Sequence, residues 1–250
     1  MGVISSDSIF HFTKSKDLLF SILANEFQPN FCFERCVLRN RVLKGAYPMV
    51  CFCDIPLSQV KEHIGEYYGD YGIGMSKSWG ERKRLNPVLY IKKTSHLAAH
   101  IKALFYISRS TKEPKKDMQK TFLNILRYLK PFEGNYLRGQ KMPEEIKFYD
   151  ERELRYVPPP EMTNNRYLFL SDEQYKDLNI RNKYNSIVKQ LKLSFEPDDI
   201  RYIIIKNEDE ILSMVDELQG IQRINEKYNS KAVKKLVTRI ITTEQIKRDF

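Results

Sequence analysis

Two different hydrophobic periods succeed each other near the start of the chain. SIFHFT, residues 8 to 13, reads as a short strand, and SKDLLFSILANEF, residues 15 to 27, as a helix. In the helix, Leu18, Leu19, Ile22, Leu23 and Phe27 recur at three and four, the spacing of a single apolar face. Ser15 is placed to cap it, Asp17 falls in its first turn, and Pro29 ends it. YPMVCFCDI, residues 47 to 55, is an apolar run of strand length that Pro56 stops. In GEYYGDYGIGMSKSWG, glycines among aromatics predict a backbone that bends tightly or lies close to a ligand. NPVLYIKK then resumes as a strand at Val88.

Helical patterns cover residues 96 to 108 and 116 to 129; in the second, Met118, Phe122, Ile125, Leu126 and Leu129 form one face. Residues 131 to 145 read as a loop and 148 to 160, FYDERELRYVPPP, as a strand ending in three prolines. Beyond them, IRYIIIK (200 to 206) is strand-like, EDEILSMVDELQG is helical with Gly220 as its stop, and LVTRII (236 to 241) is a last strand. This order predicts an α+β fold with a split, mostly antiparallel sheet and flanking helices. Residues 1 to 160 would be its core and 161 to 250 its continuation in the same domain.

Composition allows this. With 250 residues, 42% of them hydrophobic, the chain can bury a sizeable core. No run approaches the roughly 18 apolar residues of a membrane span, and the first residues lack the order of a signal peptide, so the expectation is a cytoplasmic protein with no membrane partner. Cys32, Cys36, Cys51 and Cys53 should then be thiols. The net charge of +10 is densest at residues 112 to 120 and 231 to 239. It suits a DNA or RNA partner, or simply a solvated basic surface.

Several chemistries are poorly served. The cysteine spacing departs from the paired knuckles of structural zinc, and His96 with His100 lacks a third ligand, so no metal is expected. Glu145-Ile146-Lys147 offers half of a nuclease motif, with Asp54 far earlier in the chain. Neither a nucleophile elbow nor a phosphate-binding glycine motif is present.

What remains is more coherent. As a strand, FYDERELRYVPPP places Glu151 and Glu153 on one face, although adjacent acids repel and glutamate is a poor strand former. His11 suits ribose hydroxyls, the aromatics Tyr67, Tyr68, Tyr71 and Trp79 can stack a planar heterocycle, and a carboxylate can support an electron-poor ribose carbon. Each member also has a plain structural explanation: His11 as a satisfied core histidine, the aromatics as core, and Glu151 to Arg155 as a solvated edge.

HFT, the helix ending in EF, PMVCFCDIPLS, YGIGMSKSWG with NPVLY, and FYDERELRYVP together resemble the AbiGi family of abortive phage resistance proteins, from about residue 8 to 158. In the last segment, Leu154 stands where the family leads one to expect an aromatic residue. The resemblance implies a role in antiviral defence as the antitoxin-like half of a two-gene system. Its partner would be a cognate toxin resembling a nucleotidyltransferase. A more distant similarity, to the ADP-ribosyltransferase fold, implies NAD as substrate. Carried over residue by residue, His11 with Thr13 would hold a ribose, and Tyr71 or a neighbour such as Tyr68 would stack the nicotinamide. Glu153 would be the catalytic glutamate and Glu151 the preceding acid that orients an acceptor. The rival reading is a non-catalytic antitoxin that neutralises its partner by direct contact, with Glu151, Glu153 and Arg155 as an interface strip.

Overall fold

The computed structural model describes residues 6–65, 67–109, 115–137, 140–163 and 169–250. Residues 112 to 114 of the basic run lie outside these. In chain order the elements are β1 (Ser8–Thr13), α1 (Lys16–Asn25), β2 (Asn30–Leu38), β3 (Arg41–Cys53), β4 (Tyr71–Ser76), α2 (Lys77–Arg82), β5 (Asn86–Pro87), β6 (Leu89–Ile91), α3 (His96–Arg109) and α4 (Lys115–Leu126). They continue with β7 (Leu129–Pro131), β8 (Gly134–Leu137), β9 (Gln140–Ile146), β10 (Glu153–Tyr156), α5 (Asp172–Lys176), α6 (Leu178–Val188), β11 (Ile200–Ile205), α7 (Ile211–Ile224), α8 (Ser230–Val237), β12 (Ile240–Thr242) and α9 (Thr243–Asp249). The fold is α+β, with mostly antiparallel pairings among the described residues, while β6 runs parallel to β7 and β11 to β12.

Two compact units are assembled from separated stretches: Met1–Gln28, Cys51–Leu85 and Lys192–Phe250 form the first, Pro29–Val50 and Asn86–Leu191 the second. In the first, β12, β11, β4 and β1 lie side by side, and Phe10 of β1 pairs with Cys53 at the end of β3. Ser15 caps α1 as its position predicts, its hydroxyl accepting from the Leu18 N–H. Ile9, Leu19, Leu23, Ile73, Met75 and Ile203 are all completely or almost completely buried, because strand and helix turn their apolar sides inward.

The glycine-rich stretch makes a close approach, and the neighbour is the protein's own backbone. Gly69 has φ +103, and a Cβ there would sit 1.9 Å from the Thr13 carbonyl oxygen. This tight approach lets β4 run beside β1 with Thr13 opposite Tyr71.

The second unit is built on the β2–β3 hairpin, whose register runs from Asn30 opposite Met49 to Leu38 opposite Arg41. The pair α3 and α4 and the pair α5 and α6 complete it, with Phe31, Ala46, Leu170 and Val188 forming a small core of their own.

Four sequence expectations are corrected here. Residues 131 to 145 are not a loop but contain β8 and most of β9, an antiparallel pair of which β9 is mostly exposed and polar, which hides its strand period. Gly220 does not end its helix: α7 continues to Ile224, because a glycine on a solvent-facing turn costs only about 1 kcal/mol against the apolar face of Met214, Leu218 and Ile221. LVTRII is split, Val237 closing α8 and Ile240 opening β12. Finally, FYDERELRYVPPP is not one strand. Phe148–Glu151 is a turn of 3-10 helix, Arg152 takes the left-handed conformation with φ 45, and only Glu153–Tyr156 is extended.

Candidate functional site

A charge cluster in the second unit follows from that bend. Because Arg152 reverses the chain, Glu151 and Glu153 do not owe their proximity to a shared strand face; both reach Lys130 of β7 instead. The Lys130 ammonium lies 2.9 Å from Glu153 Oε2 and 3.3 Å from Glu151 Oε2. Arg155, two residues along the same face of β10 as Glu153, donates from Nε to Glu153 Oε1 at 2.5 Å and from a terminal nitrogen to Oε2 at 3.2 Å. The same guanidinium donates to Glu34 Oε1 of β2 at 2.7 Å and to the Arg127 carbonyl at 2.7 Å. The Glu153 N–H donates to the Tyr90 phenol at 2.7 Å.

Arg155 is wholly buried and Glu153 is 3% exposed. Ions so far from water persist only when their partners replace the lost hydration. Burial raises the Glu34 carboxyl above the ordinary carboxylate range, and the Arg155 and Lys130 charges offset this only in part. For Lys130, burial acts to lower the ammonium, but the carboxylates of Glu151, Glu153 and Glu34 outweigh it and hold the group well above its usual value. Burial, reinforced by Glu34, pushes the nearby Cys36 thiol up to about 12, so it is not a nucleophile near neutral pH.

Both oxygens of Glu153 thus accept from cations, which suits a structural ion cluster better than a carboxylate waiting for an electron-poor carbon. Glu34 and Lys130 were absent from the sequence reading. Their signal was a charge inside an apolar strand, FCFERCVL for Glu34 and LKP for Lys130, and a charge in such a setting needs a partner that sequence cannot name.

The remaining sequence-predicted residues belong to the first unit. His11 in β1 contacts the Cys51 carbonyl through Nδ1 at 2.8 Å, with its ring 5.3 Å from Phe27 and 5.6 Å from Phe52. Phe27 and Phe52 also meet the fully buried Trp79, whose indole N–H donates to the Ser194 carbonyl. The Thr13 hydroxyl is buried and donates to the Ser15 carbonyl at 2.9 Å.

Tyr71 lies opposite Thr13 across the β1–β4 ladder, and its phenol donates to Glu210 Oε1 at 2.8 Å; burial and this carboxylate push the phenol up to about 12. Tyr68 packs against the cluster of Phe10 and Phe12, which alternate with His11 and so occupy the other face of β1. Thr13 and Tyr71 are therefore brought together, whereas His11 and Tyr68 are not.

The four cysteines are free thiols, and among the described residues no three histidine, cysteine or acidic side chains come together to hold a metal ion. Among the same residues, no helix is long and apolar enough to cross a membrane.

Residues 23–206 match a family model described as abortive phage resistance protein AbiGi, antitoxin. The match includes Glu34, Lys130, Glu151, Glu153 and Arg155 and begins after His11 and Thr13. The chain is also similar to "Abortive phage resistance protein AbiGi" of Lactococcus lactis subsp. cremoris, with 27% identity over 251 residues, covering 92% of this chain and 100% of that relative. No solved structure matches, so the expected ADP-ribosyltransferase likeness of the fold has no structural neighbour behind it.

Proposed function

The chain belongs to the AbiGi family of abortive phage resistance proteins, and on that premise we propose that it is a non-catalytic antitoxin that restrains a cognate toxin by direct protein contact. One observation carries the non-catalytic part: Glu153, the acid best matched to a catalytic role, is 3% exposed and has both oxygens engaged by Arg155 and Lys130. The family's description as an antitoxin supports the rest. In this reading the buried ions hold the second unit in shape, and recognition belongs to the surface.

The surface assigned to the toxin is the outward side of α3 and α4, where Leu104, Tyr106, Ile107, Met118 and Ile125 stay exposed. Exposed large apolar side chains on neighbouring helices are the kind of surface that protein partners cover.

Two measurements test the reading. The purified protein is incubated with labelled NAD and pools of DNA, RNA and lysate protein, and nicotinamide release is followed. No turnover is expected; turnover that a folded Glu153→Gln variant lacks would restore the NAD-dependent transferase reading, with Glu153 as its acid. In parallel, the toxin encoded beside this protein is titrated against it by calorimetry. Tyr106→Glu with Ile107→Glu should weaken binding at least tenfold and release growth arrest in cells, because two charges would have to be buried on binding. Unchanged binding by that double variant overturns the assigned surface.

A further inference from the structure

A cleft of ≈ 690 Å³ opens in the second unit between β3, α3, α4 and α5. Its volume falls in the range of small-ligand sites, about 300–1,000 Å³. Three features of its wall bear on what fits. Arg41 and Arg109 both lie over the Phe105 ring, their guanidinium carbons 5.0 and 5.5 Å from its centroid. Neither arginine forms an ion pair among the described residues. The wall is also aromatic: Tyr47 and Phe169 meet at 5.6 Å, and Phe105 meets Phe122 at 6.3 Å.

The acids of the same wall are answered from within the protein. Desolvation acts to raise the Asp172 carboxyl, but Lys176 at 3.1 Å and Lys44 at 3.5 Å together outweigh it and keep the group below the usual range, and Glu173 accepts from the Ser171 hydroxyl at 2.8 Å. Among the described residues the two guanidiniums have no carboxylate partner, and their planar forks suit phosphate oxygens. Beside them, rings offer a stacking surface to a flat heterocycle.

Gly45 contributes to this surface. A Cβ at that position would fall 2.0 Å from Phe169 Cε2, so the ring lies directly on bare backbone and depends on its remaining bare.

We propose that this cleft binds a nucleoside polyphosphate, with the phosphates on Arg41 and Arg109 and the base against the aromatic wall. It is an effector site in addition to the toxin-binding role, and it adjoins the surface assigned to the toxin through Arg41, whose guanidinium carbon lies 6.0 Å from the Tyr106 ring centroid.

The test is calorimetric titration of the full chain with ATP, GTP, CTP and UTP, with adenosine and inorganic tripolyphosphate as half-ligands and poly-glutamate as a plain polyanion. At least one nucleotide should bind, with each half-ligand at least about tenfold weaker, since a charge-assisted contact and a stacked base each contribute that much. Arg41→Gln with Arg109→Gln, both on the exposed surface, should weaken nucleotide binding at least tenfold while circular dichroism stays unchanged. Gly45→Ala should weaken it with no change of charge, by displacing Phe169. The proposal is overturned if no nucleotide binds at millimolar concentration, if the double arginine variant binds as well as the parent, or if poly-glutamate binds as tightly as the nucleotides.

Discussion

His11 and Glu153 both leave bulk water on folding, and the two units of the chain deal with this in opposite ways. In the first unit, one imidazole is set edge-on among Phe27 and Phe52 and meets a backbone carbonyl, so the surroundings remain essentially apolar. In the second, three carboxylates, Lys130 and Arg155 leave water together and must satisfy one another. A group held mainly by aromatic packing can be replaced at smaller cost. A set of buried ions cannot lose a single member cheaply, because each removal strands a charge. Residues picked out for chemistry can thus differ in what holds them: His11 is embedded by packing, whereas Glu153 is bound by its counter-ions.

The comparison can be broken most sharply at Arg155. Replacing it with Met should cost about 3–5 kcal/mol in chemical denaturation, because Glu153 and Glu34 would be left buried with too little compensation. A loss near zero would mean that water already reaches the cluster. Next in size, replacing the ions together (Arg155→Met, Glu153→Leu, Glu34→Leu, Glu151→Leu and Lys130→Met) should recover most of that loss, since well-packed apolar groups often match a buried ion set. If the combined variant still neutralises the toxin, the cluster serves shape alone.

In the first unit, His11→Phe should cost less than Arg155→Met when measured by the same denaturation, about 0.5–1.5 kcal/mol for the Cys51 carbonyl contact, since Phe keeps a ring among Phe27 and Phe52. A cost matching that of Arg155→Met would erase the contrast between the units.

The smallest expected effect is in alkali. Tyr71 has its folded-state phenol raised from 10.0 to about 12, so the stability it contributes is whole below pH 10 and is lost as pH climbs toward 12. Lys130, raised above its model-compound 10.5, acts with the same sign: its contribution is complete below that pH and declines above it. Stability profiles from pH 8 to 12 should therefore fall, and Tyr71→Phe should make that fall shallower between pH 10 and 12.

Much of the first unit was legible from local pattern. SIFHFT, the Ser15-capped helix and IRYIIIK form as their periods predict, because strand alternation and a helical face are properties of a few consecutive residues. The short polar strands β8 and β9 were missed for the complementary reason: with one side in water and little apolar alternation, they carry almost no period to read.

Membership of the AbiGi family was likewise written in local motifs such as PMVCFCDIPLS and YGIGMSKSWG, where a dozen consecutive side chains suffice. The sequence by itself also determined that Glu151 and Glu153 needed unusual company, since acids in a strand-like run disfavour it. Only the tertiary structure decided what that company is. The left-handed turn at Arg152 and the arrival of Lys130 and Glu34 from β7 and β2 depend on contacts up to 121 residues apart in the chain. Electrostatic pairing at such separations is set by where folded strands bring the charges, and no local propensity encodes it.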